Sequence, residues 1–302
     1  IPYLVLGAAF VLVAVFLKFS SVPNQVDLDA LAADEASDAS KLAHKPSAFG
    51  YPQLVLGMIA IFVYVGVEVS TISNMPAYLE LPVSEGGLGI ETSLIAPFVS
   101  LYWASLMIGR WAGAAGAFDV AKRTKWMLTI LLPYLALGVF LAVNAFANHE
   151  ISHFFMYAFV IVLMIAATFA SRGNPARMLL YFAVCGIAAL VIGMLTTGMT
   201  SVVAFISVGL FCSTMWPCIF TLAITGLGRN TNQGSSLLIM MIMGGGIVSW
   251  LQGVIADMHG IHYSFVVGVL CFAYLAFYAI AAKRALQKQG IDLDALTAQG
   301  GH

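Results

Sequence analysis

The chain has 302 residues, 61% of them hydrophobic and only 9% charged, with 13 Lys and Arg against 14 Asp and Glu and a formal net charge of −1. Soluble domains carry charge on about a quarter of their residues, so this composition excludes a water-soluble globule. The near-neutral balance also removes any electrostatic basis for binding nucleic acid. Cys185, Cys212, Cys218 and Cys271 all lie in apolar stretches, where a thiol behaves as a small hydrophobe and implies neither a disulfide framework nor a metal centre.

Nine apolar stretches succeed one another, at 1–17, 53–79, 92–113, 126–147, 153–171, 178–198, 201–226, 237–256 and 263–282. Most come near the ~20 residues that cross ~30 Å of hydrocarbon as a helix. None shows the alternation of a barrel strand, so the expected fold is an all-α membrane bundle. The cations sort by gap. Lys18, Lys41 and Lys45 follow the first stretch; Arg110, Lys122, Arg123 and Lys125 lie at or after the third; Arg172 and Arg177 follow the fifth, Arg229 the seventh, and Lys283, Arg284 and Lys288 the ninth. The intervening gaps carry Glu80, Glu85, Glu91, Glu150 and Asp257 and no Lys or Arg. Cytoplasmic loops are enriched in Lys and Arg, which puts the cationic gaps and the C-terminus in the cytoplasm.

The first stretch lacks a charged region before it, as a signal peptide would have. It reads instead as the end of an upstream membrane half that is missing here. Four parts are expected: 1–20 as the last helix of that half, 21–50 as a central cytoplasmic loop, 51–284 as a bundle of eight spans, and 285–302 as a cytoplasmic tail. Residues 21–50 hold Asp27, Asp29, Asp34, Glu35 and Asp38 with many Ala and Ser. So little apolar surface cannot offset the entropy of ordering, and a solvated linker follows, with a surface helix near 26–33 and a regulatory docking site as its competitor.

Only one acidic residue, Glu68, falls in the middle of a span. An ionised carboxylate there costs on the order of 2.5–3.5 kcal/mol, so it faces a cavity, has a partner or is protonated. It is a candidate hydroxyl ligand or group that takes up a proton, against a structural hydrogen-bonding role; Tyr64, Thr71 and Met75 share its helical face. Asn74 precedes Pro76, which is expected to unwind the Ser73–Met75 turn toward a cavity; ligand and kink-satisfying amide are equal readings of Asn74. Trp216 sits mid-span, away from an interfacial aromatic belt. Its flat apolar face and one N–H suit a ligand with both C–H and hydroxyl groups, with packing beside Pro217 as the alternative. Gln252 offers both a donor and an acceptor to a hydroxyl or to a neighbouring helix. Gly244, Gly245, Gly246 and Gly253 mark close helix packing. His149/His153 and His259/His262 lie at membrane edges with no third ligand, so neither a metal nor another cofactor is expected.

Three segments carry a resemblance: Tyr64–Ser70 (YVGVEVS), Met107–Gly113 (MIGRWAG), and the run from Trp216-Pro217 through Gly226-Leu227-Gly228 and Gly234-Ser235-Ser236 to the triple glycine at 244–246 and Gly253. Together they resemble the fucose and glucose/galactose permease branch of the major facilitator superfamily. The resemblance implies that residues 51–284 are the C-terminal half of a twelve-helix carrier for a monosaccharide, coupled to protons, with membrane lipid and the missing N-terminal half as its other partners. It also implies a gating role for Arg110, capping helix ends or pairing with Asp119. The chain departs from the branch in having three spans, not one, between residues 125 and 216; an added pair, placed at 153–198, preserves the sidedness downstream. It also has Ser249 and Trp250 where the branch often carries proline. A drug or peptide carrier and a non-transporting sensor on the same fold are the alternatives. An intramembrane enzyme would need more than one lone carboxylate at depth.

Overall fold

The computed structural model describes residues 2–19, 47–85, 87–114 and 121–294. The expected linker helix near 26–33 and Asp119 lie outside the described residues. Two units separate at residue 44. The first holds one described helix, α1 (Pro2–Phe19), apolar until Lys18 in its last turn.

The second unit is helical throughout its described residues, with no strand among them. It consists of α2 (Pro52–Glu80), α3 (Ala96–Ala114), α4 (Lys122–Phe146), α5 (Tyr157–Ser171), α6 (Pro175–Leu195), α7 (Gly198–Cys212), α8 (Met215–Ile224), α9 (Thr231–Met240), α10 (Gly244–His259), α11 (Ile261–Ser264) and α12 (Val266–Lys288). These make eight stretches long and apolar enough to cross a membrane, within a few residues of the expected ones except where the seventh extends to 228–259. Local chemistry sets several boundaries. Pro52 and Pro175 occupy first helical turns, where a missing N–H costs nothing. The Asn174 side chain caps α6 by accepting from the N–H groups of Ala176 and Arg177 at 3.0 and 3.2 Å.

Two spans are interrupted. The sixth breaks at Ser213–Thr214, between α7 and α8, one residue before Met215 and Trp216. The seventh passes through a tight 3-10 turn at Met241–Met243, between α9 and α10. The branch's missing proline therefore matters little, because the irregular turn precedes the glycines and α10 runs unbroken through Ser249 and Trp250. The unwinding expected near Asn74 does not occur. Helix α2 continues through Pro76 to Glu80, held along its buried side by α10 and α12.

Helix α2 is the hub, packed on α8, α10 and α12. A Cβ on Gly244 would overlap the Phe62 carbonyl oxygen, and one on Gly66 would lie 2.8 Å from Val248 Cβ, so the two backbones approach as only glycine permits. Gly245 faces Val65 and Val69 at 3.2 Å. Gly246 and Gly253 do not pack a helix, contrary to expectation: a Cβ at either meets nothing within 4 Å.

Packing grades the three spans and does not single out the expected pair 153–198. Helix α6 packs on α7, α8 and α12, with Leu179, Phe182, Ala183 and Leu190 fully buried and Tyr181, Val184, Ile192 and Leu195 exposed. Helices α4 and α5 lie nearer the rim. On α4, Met127, Leu131, Leu135, Val139 and Val143 form an exposed stripe at four-residue spacing, the pattern of a helix with one face left for lipid, while Phe140 on α4 and Tyr157, Ile161 and Met164 on α5 are buried. The expected tail also begins later than residue 285. Helix α12 runs to Lys288, Leu293 is buried, and Asp294 accepts from Asn174 Nδ2 at 2.6 Å and pairs with Lys283 and Arg177 at 3.0 Å.

Candidate functional site

Glu68 lies at mid-length of α2 and is partly exposed. The helix brings Tyr64, one turn earlier, onto the same face. The Tyr64 hydroxyl lies within hydrogen-bonding reach of the Glu68 carboxyl group. From α3 the buried Tyr102 hydroxyl donates to the Glu68 backbone carbonyl at 2.7 Å, fixing α3 against α2 at this depth. The break before α8 delivers Trp216, whose ring meets that of Tyr64 edge to face at 6.1 Å between centroids. A half-exposed Trp103 in turn touches Tyr102 at 5.9 Å.

The structure thus assembles a partly open carboxylate, a buried phenol and an indole from α2 and α8, with Tyr102 of α3 bonded to the same turn. Chemically, such a set can hydrogen-bond hydroxyls, present aromatic surface to C–H groups and hold one exchangeable proton. Arg110 is exposed near the end of α3. Its suggested partner Asp119 is outside the described residues.

The other two expected ligands lie elsewhere. Asn74 spends its amide within its own helix, donating to the Ser70 carbonyl at 2.9 Å. Gln252 is 1% exposed on α10 and donates through Nε2 to Ser264 Oγ at 3.3 Å, leaving Oε1 without a partner among the described residues. Ser70 Oγ and Thr71 Oγ1 on α2 are orphaned in the same way, at 0% and 1% exposure. Each such group costs about 1–3 kcal/mol when left unpaired, so three at one depth need an explanation. Sequence reasoning passed over Ser70 and Ser264, because a serine in an apolar run ordinarily bonds back to its own helix.

At the extracytoplasmic end expected from the charge pattern, a cavity of about 720 Å³ is lined in part by Glu85, Thr196, Asp257, His259 and His262. Beside it Tyr78 donates to Ser201 Oγ at 2.8 Å, and Ser201 and His262 both reach the Gly193 carbonyl, at 2.7 and 2.8 Å. These bonds tie α2, α6, α7 and α11 together at one end.

No protein-family model matches the chain. It is 33% identical over 284 residues to a glucose/galactose transporter of Brucella abortus, covering 94% of this chain and 53% of that protein. It is 34% identical over 110 residues to an L-fucose-proton symporter of Escherichia coli, covering 36% of this chain and 25% of that one. Its fold matches the crystal structure of FucP, a major facilitator superfamily transporter in the outward conformation, with a TM-score of 0.59 at 22% identity over 93% of this chain and 54% of the other. The chain spans about half the length of the glucose/galactose transporter it matches. Those relatives are transporters, not enzymes. With eight membrane-length helices and these likenesses, the chain is a multi-pass membrane protein with the fold of FucP, homologous to the glucose/galactose and fucose transporters it matches.

Proposed function

We propose that this bundle forms one wall of the cargo cavity in a secondary active transporter that takes up a monosaccharide of the glucose, galactose or fucose class by proton symport. The observation that carries this reading is the convergence of Glu68, Tyr64 and Trp216 from two helices. An aromatic wall beside one ionisable group suits a neutral polyol better than a charged or wholly apolar cargo. In carriers of this architecture the cargo sits between two helix bundles near the midplane, and the bundles rock about it. Glu68 serves here as sugar ligand and proton acceptor. The sorting of Lys and Arg supports a cytoplasmic C-terminus, and the bacterial relatives support a place in the inner membrane.

The test is uptake in proteoliposomes of labelled glucose, galactose and fucose, with and without an inward proton gradient. Saturable uptake of one of them that the gradient accelerates is the expected result. Gradient-driven movement of a peptide or hydrophobic drug, with no sugar uptake, would overturn it.

A further inference from the structure

The three orphaned oxygens lie where α2, α10 and α11 meet, and the packing register explains why. Gly244 sits against Phe62 and Gly66 against Val248, so α2 and α10 advance side by side in parallel. One turn further along the same two faces come Ser70 and Gln252. On the adjoining face of α2, Val67 meets Gly268 of α12. These two helices run in opposite senses, so one turn onward on α2 is Thr71 and one turn back from Gly268, at the end of α11, is Ser264. Gln252 Nε2 donates to Ser264 Oγ and links the two pairs. All four side chains are at most 1% exposed.

We propose that Ser70, Thr71, Gln252 and Ser264 form a binding site for a monovalent alkali cation, sodium above all. The donor set consists of three hydroxyl oxygens and one amide oxygen, hard neutral ligands that suit an alkali cation. Gln252 donates through Nε2 to Ser264, which leaves Oε1 as a pure acceptor. The absence of a carboxylate from the four argues against a divalent ion, whose charge these oxygens could not balance. One counter-charge is at hand: Glu68 lies one turn before Thr71 on α2. Pro76 adds to the polarity here, since it cannot donate to the Ile72 carbonyl as an ordinary residue would.

This inference goes beyond the transport reading and its failure is separable from it. The purified protein is unfolded thermally while sodium replaces choline at constant ionic strength, and sodium-22 binding is measured by equilibrium dialysis. Sodium should stabilise saturably, the folded-to-unfolded ratio rising about elevenfold at ten times the dissociation constant, while potassium does so more weakly. Thr71→Val and Gln252→Met should lose both the stabilisation and the bound sodium, and Thr71→Ser should keep them. Glu68→Gln should weaken sodium binding without abolishing it. Equal stabilisation by sodium, potassium and choline would overturn the proposal, as would full sodium binding by folded Thr71→Val. Dialysis on the unaltered protein needs no variant to fold, and absence of saturable binding there refutes the site outright. Sugar uptake driven by protons in the absence of sodium would leave the transport reading standing.

Discussion

Substituting Gly244 by Ala tests the register on which both sites depend. The added Cβ would overlap the Phe62 carbonyl oxygen, with the Phe62 carbonyl carbon and Cα at 2.7 and 2.8 Å. All three are backbone atoms, so no rotamer change relieves the clash and α10 must back away from α2. Overpacking of this kind costs ~1–3 kcal/mol. Two residues on, Gly246→Ala meets nothing within 4 Å, and the same substitution there gains ~0.5–1 kcal/mol from the lower backbone entropy of alanine. The two variants each add one methyl, two residues apart, yet should lie ~1.5–4 kcal/mol apart. For a chain of this size that corresponds to ~5–10 °C in melting temperature. Thermal unfolding in detergent, followed by the fraction remaining monodisperse on size exclusion, measures it. If Gly244→Ala melts within about a degree of Gly246→Ala, the close approach of α2 and α10 is wrong, and the juxtaposition of Ser70 with Gln252 falls with it.

Glu68→Gln should abolish gradient-driven accumulation in proteoliposomes while leaving a monodisperse protein; unaltered proton-driven uptake would remove Glu68 from the coupling step. Trp216→Ala should raise the KM for sugar by ~2–10-fold, the loss of one aromatic contact, with Trp216→Phe recovering most of it. Cysteines at Asn148 and His259 should react with an impermeant maleimide from outside the cell and those at Arg177 and Lys288 should not, and labelling at 177 from outside would reverse the topology. The hydrogen bond from Lys283, then those from Asn174 and the charges of Lys283 and Arg177, hold the Asp294 carboxyl below its ordinary value of 3.8. A depressed value means the group stabilises the fold above that pH and ceases to as the pH falls through its folded-state value. Asp294→Asn should therefore flatten the acid limb of the stability profile below about pH 4, and an unchanged limb would show that the clamp does not hold the chain's end.

The membrane bundle was legible because hydrophobic length and the sorting of thirteen cations are global properties that no single residue can mask. Glu68 was legible for the same reason: one carboxylate in the middle of an apolar span stands out whatever packs beside it. Its company was not. Tyr64 lies one turn away and shares its face by helical geometry alone, but Trp216 is 152 positions further along and reaches Tyr64 only through the break at Ser213–Thr214. Nothing in local propensity announces that break, since Ser and Thr are common in membrane helices without interrupting them. Pro76 misled in the opposite direction, for the packing around α2 overrides what proline does to an isolated helix. The glycines divide similarly. All four read alike as small residues, and only the position of Phe62 distinguishes Gly244 from Gly246.

The same limit applies to the added pair. Counting spans reveals that two are additional but not which two, because each is equally apolar in sequence; exposure on folding is what differs, and that depends on neighbours many residues distant. Helix α6 buries Phe182 and Leu190 against elements that arrive later in the chain, whereas α4 leaves every fourth residue from Met127 to Val143 uncovered. A peripheral pair of this kind can be gained without disturbing the site, since Glu68, Tyr64, Tyr102 and Trp216 lie on α2, α3 and α8 and touch neither α4 nor α5 through any of the contacts that assemble them. Insertion of an even number of spans also returns the chain to the same side of the membrane. The charge pattern beyond residue 171 is therefore compatible with either choice of pair.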